Sequence, residues 1–116
     1  MDEIIKILRT LKDEEKQETC RRYISWAYID LHEETTVGAN PININDLVLD
    51  QERRMITDKN NITRLIYNPD YILTGSDHID NGNQETHYYY LTLDGDKNSQ
   101  KYLEFILLQY TINEEE

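Results

Sequence analysis

Cysteine occurs once in this chain, at Cys20, which excludes an intramolecular disulfide and a cysteine-rich zinc site and points to a reducing, cytoplasmic location. Bases are scarce as well. Lysine and arginine total 12 against 23 acids, and the net charge of -11 argues against direct binding to phosphate backbones. The longest apolar run is Phe105 to Leu108, far below the roughly 18–20 residues that cross a bilayer as a helix, so no membrane association is expected. The opening Met1-Asp2-Glu3-Ile4 carries acids where a secretory leader needs bases, and it reads as mature sequence. No glycine-rich phosphate loop, HExxH pair or nucleophile elbow is present. The chain is therefore not expected to be an enzyme, and no cofactor is expected. Phenylalanine and tryptophan appear once each, yet tyrosine appears nine times, so the aromatic surface keeps polar tips.

A length of 116 residues suits one domain, 1–116, with a single core. Residues 1–34 lack glycine and proline, and Ile4, Ile7, Leu8 and Leu11 recur at helical spacing. Cys20, Ile24, Ala27, Tyr28 and Leu31 repeat at the same period, with Tyr23 and Trp26 widening the face, which predicts a second helix. Thr10 and Asp13 have capping-box spacing and offer a start for it, although one bent helix fits the same residues. Gly38 and Asn40-Pro41 then break the helical pattern. Residues 42–112 read as mostly β, with strands near 47–49, 54–57, 62–67, 71–79, 85–93 and 101–112 separated by short polar turns. Leu103, Ile106, Leu107 and Tyr110 also fit a helix, but 88–93 offers a hairpin partner, and a strand is preferred. Residues 113–116 read as an acidic tail. The expected class is α+β, an N-terminal helical pair packed on an antiparallel β-meander of four to five strands.

Charge is unevenly placed. From Leu65 to Asp96 there is no lysine or arginine, while Asp70, Asp77, Asp80, Glu85, Asp94 and Asp96 share the interval with Tyr67, Tyr71, Tyr88, Tyr89 and Tyr90. Tyrosines supply buried contact area and carboxylates steer association, so Tyr67, Asp70, Tyr71, Asp77, Asp80, Glu85, Tyr88, Tyr90, Asp94 and Asp96 are the candidate partner-binding residues. A homodimer through a tyrosine-rich sheet or an exposed edge is a further expectation.

A two-residue turn at Asn81-Gly82 would pair residue 78 with 85 and 76 with 87, placing Ser76, His78, Glu85 and His87 on one face. Two imidazoles and a carboxylate are metal-ligand types, and Asp80 could add a fourth group. The grouping depends wholly on register, and metal binding is not expected. His32, after the second helical pattern, is expected to complement a helix C-terminus. Asp94-Gly95-Asp96 opens like a calcium loop, but Ser99 stands where glycine is needed and Phe105 where the bidentate acid belongs, so a polar hairpin loop is expected.

In size and acidity the chain is similar to phage-encoded inhibitors of bacterial defence nucleases, such as anti-CRISPR and anti-restriction proteins, and to immunity proteins against nuclease toxins. The likeness implies a small cytoplasmic inhibitor that contacts a basic, nucleic-acid-processing protein such as a nuclease, its spaced carboxylates imitating backbone phosphates. The alternative is a small-ligand or metal-binding protein using the His/Glu sheet face.

Overall fold

The computed structural model describes residues 2–13, 20–60 and 64–111, so the expected acidic tail lies outside the described residues. The class is α+β, with one helix among the described residues instead of a helical pair. Helix α1 spans Glu3–Asp13 and buries Ile4, Ile5, Leu8 and Leu11, the stripe its sequence period dictates. Asp2 caps it, its Oδ1 accepting from the Ile5 amide at 3.1 Å. Thr10 begins no second helix. It sits within α1 and its hydroxyl donates to the Lys6 carbonyl one turn back.

The predicted second helix is strand β1, Cys20–Asp30. Cys20, Ile24 and Tyr28 are four apart and so lie on one side of either a helix or a strand. Burial of Arg22, Ile24 and Trp26 follows the two-residue period, and Tyr23, Ile24, Trp26, Tyr28 and Ile29 are all β-formers. His32 consequently lies exposed in the turn Leu31–Glu34, with no helix end to complement. Cys20 is half-buried at the start of β1.

The stretch expected to be a break holds two short strands, β2 (Thr35–Gly38) and β3 (Ile42–Asn43), both antiparallel to β1. A 3-10 turn, Ile44–Asp46, leads into β4 (Leu47–Asp50), β5 (Met55–Asp58) and β6 (Arg64–Ile66), which form a separate three-stranded sheet. Strands β7 (Ile72–Asp80), β8 (Gln84–Thr92) and β9 (Lys101–Thr111) are the expected antiparallel run. Residues 101–111 are thus strand, as preferred over helix. The main sheet is ordered β2-β1-β9-β8-β7, with β3 also on β1. Strand β1 closes on β9 over its whole length, from Cys20 opposite Thr111 to Asp30 opposite Lys101.

Register gives the sheet two distinct faces. On the inner face, Ile24, Trp26, Leu91, Leu103, Phe105 and Leu107 meet α1, Ile44, Leu47 and Ile56 in one apolar core. Tyr67 and Tyr71 belong to this core, at 4% and 3% exposure. On the outer face lie Tyr23, Ile29, Tyr102, Ile106, Leu108 and Tyr110, followed by Tyr88 and Tyr90 on β8 and Asp77 and Ile79 on β7. None of these joins the core. The β7 ladder shifts register between Leu73 and Gly75, leaving Thr74 as a bulge. No helix among the described residues is long and apolar enough to cross a membrane.

Candidate functional site

The ten candidate partner-binding residues do not form one surface. Tyr67 is structural: its hydroxyl donates to Asp2 Oδ2 at 2.7 Å, and burial followed by the Asp2 hydrogen bond pushes the phenol far above its ordinary range. Tyr71 packs edge-on to Tyr28, ring centroids 6.0 Å apart, and their hydroxyls are hydrogen-bonded. Asp70 is exposed in the turn after Asn68, whose side chain accepts its amide. Asp94 and Asp96 are exposed in the polar β8–β9 connection, where each carboxylate accepts the amide two residues on, so this segment is a hairpin loop as expected. Asp80 and Glu85 face inward beyond the end of the apolar core. Asp77, Tyr88 and Tyr90 remain, and these three share the outer face.

Two residues from β9 complete that group, Tyr102 and Glu104, with Glu104 directly opposite Tyr90. They lie outside the base-free interval, so a search by charge alone misses them. The signal was alternation: once Leu103, Phe105 and Leu107 are the inward set, Tyr102 and Glu104 must face the other way. Tyr88 and Tyr90 stack in parallel with centroids 6.4 Å apart, and Tyr102 meets Tyr90 edge-on at 5.9 Å. Tyr90 and Tyr102 also line a groove of about 620 Å³ with Gly75, Thr92, Ser99 and Lys97. At Gly75 an added Cβ would make ordinary contact with the Tyr90 ring at 3.7 Å.

The negative groups here act on one another. Burial chiefly, and then Glu104, Asp77, Tyr102 and Tyr88, raise the Tyr90 phenol above its ordinary value. Burial likewise holds the Glu104 carboxyl above its ordinary 4.5. The folded chain therefore binds this proton more tightly than the unfolded chain, so the contribution of Glu104 to stability is fullest below 4.5 and is lost as pH rises through the raised value. Glu104→Gln is expected to raise the melting temperature at neutral pH relative to wild type, with the gain shrinking as the pH approaches about 3. Thermal denaturation of both proteins across that range checks the sign; a gain independent of pH rules out the carboxylate as its cause.

The inner face carries a second polar group at the end of the β7–β8 hairpin. The register differs by two residues from the expected one, because Asp80 pairs with Glu85 across a four-residue connection. His78 thus stands opposite His87 instead of Glu85, with ring centroids 4.5 Å apart and planes 10° from parallel. A shift of two preserves facing, and Glu85 Oε2 lies 3.4 Å from His87 Nε2.

Comparison with protein families, curated proteins and solved structures finds no match to this chain. Function therefore has to be read from these two groups. The outer group offers flat aromatic faces beside carboxylates at a groove, an arrangement that attracts a guanidinium or ammonium by cation–π and charge terms together. The inner group offers two imidazoles and a carboxylate, a donor set for a metal ion.

Proposed function

We propose that the chain binds a basic protein through the outer face of its main sheet, an arginine or lysine of the partner entering the groove beside Tyr90 and Tyr102. The supporting observation is the convergence of Tyr88, Tyr90, Tyr102, Asp77 and Glu104 on a sheet face that contributes nothing to the apolar core. The ionised Glu104 carboxyl, disfavoured by burial, would be stabilised by an arriving cation. Lys97 at the groove and Arg21 at the far end of the face are exposed, leaving its centre to tyrosines, apolar side chains and acids. The net charge of -11 adds long-range attraction for a basic surface and repels nucleic acid. A nucleic-acid-processing enzyme is the natural partner class, because a surface built for phosphates is basic and would be blocked by carboxylates held in their place. The reading is thus of a cytoplasmic, non-enzymatic inhibitor acting by protein contact.

The test is affinity capture from nuclease-treated lysate by wild type and by the Tyr90→Ser/Glu104→Lys double variant, followed by binding kinetics with the captured protein. Capture of a basic protein by wild type alone is expected, with an on-rate falling about tenfold or more as the screening length drops from about 10 Å at 0.1 M salt to about 3 Å at 1 M. Equal capture by the double variant, or capture that needs intact nucleic acid, refutes it.

A further inference from the structure

The observed hairpin register turns the histidines from a diagonal arrangement into a facing pair, and this changes what they can do. We propose that His78, Glu85 and His87 bind one divalent transition-metal ion of the zinc class, at the hairpin end of the inner face. One donor atom from each of the three residues lies within 4.8 Å of the others. Metal–nitrogen bonds of about 2.0–2.1 Å at tetrahedral angles put donors about 3.3 Å apart, so binding would turn the stacked imidazoles until their ring nitrogens converge with the Glu85 carboxylate. The backbone is already fixed. His87 and Glu85 are on β8, which is paired on both sides, and His78 is in regular register with it. His78 is exposed, giving an ion a direct approach.

The donor chemistry selects the ion. Two imidazole nitrogens and one carboxylate suit zinc, nickel or copper, whereas magnesium and calcium take oxygen shells. Gln109 Nε2 donates to Glu85 Oε2 at 3.3 Å and orients the carboxylate, as outer partners of metal ligands do. Asp80, opposite Glu85 on the same face, lies outside this donor cluster, its Oδ1 accepting the Gly82 amide at 3.0 Å. The site faces away from the aromatic groove and is independent of the partner-binding reading.

Calorimetric titration of the full chain with zinc chloride alone, and separately with magnesium chloride, tests it. Zinc is expected to bind at about one equivalent and to raise the melting temperature, since an ion held only by the folded state stabilises it, while magnesium does neither. His78→Asn and His87→Asn should each weaken zinc by at least the roughly tenfold that loss of an outer-shell partner costs. Should either variant fold poorly, imidazole NMR signals of the unmutated chain decide: zinc must move those of His78 and His87 and leave His32 in place. The Cys20→Ser chain should bind zinc as wild type does. Absence of zinc binding, binding indifferent to both histidine substitutions, or binding lost with Cys20 overturns the site.

Discussion

Trp26→Ala is expected to lower the free energy of unfolding by about 3–5 kcal/mol, a large share of the roughly 5–15 kcal/mol that holds a domain of this kind together. Trp26 is 5% exposed and stands opposite Phe105 in the β1–β9 ladder, the rings meeting edge-on with centroids 6.4 Å apart. Truncation leaves a cavity at the centre of the inner face, where the two longest strands are paired and neighbouring backbone cannot collapse to fill it. Urea denaturation followed by circular dichroism measures the loss; tryptophan emission cannot, because the only tryptophan is removed. A loss under about 1 kcal/mol, the scale of surface substitutions, contradicts the placement of this ring in the core.

Arg22→Ala is expected to cost about 2–3 kcal/mol and to act on the helix more than on the sheet. Arg22 is 3% exposed on the inner face, and its Nη1 donates to the Leu11 carbonyl at 2.6 Å. Leu11 lies in the last turn of α1, where carbonyls lack intrahelical partners and the helix dipole is negative, so a guanidinium both pairs and neutralises that end. The alanine variant leaves the buried carbonyl short of its donor. Hydrogen exchange should accelerate in the amides of Ile5 to Leu11 beyond any change in β9. Uniform acceleration across the chain would mean that the arginine supports the sheet and that its bond to α1 is incidental.

Much of the β region was legible because its signals agreed with one another. Polar turns bounded runs of β-branched and aromatic residues, and the strands β4, β5, β7, β8 and β9 fall close to those runs. Strand β1 was misread because residues four apart satisfy both periods, and the absence of glycine and proline from 1–34 excludes neither. The second, smaller sheet was invisible: partner choice among strands depends on long-range closure, which a local pattern does not encode. The site was legible in chemistry and not in membership. Tyrosines and carboxylates do share the outer face, but Tyr67 and Tyr71 were claimed by the core, while Tyr102 and Glu104 joined from a strand whose contribution depends on pairing with β8. The histidine pair likewise needed a hairpin length that Asn81-Gly82 alone did not fix.

The Thr74 bulge has a further consequence for crowded solution. Among the described residues β7 is the last strand of its sheet, and that edge, where the Leu73 amide donates to Glu3 Oε2 at 2.6 Å, would invite polymerisation if it were long, straight and uncharged. The bulge interrupts its straightness, and Asp77 and Asp80 place carboxylates along it. Those carboxylates lie on the same strand as the exposed Ile72 and Ile79, so a second copy that covered the apolar side chains would also have to bury charge. The sheet therefore carries its own brake on fibre growth, built from strand shape and charge together.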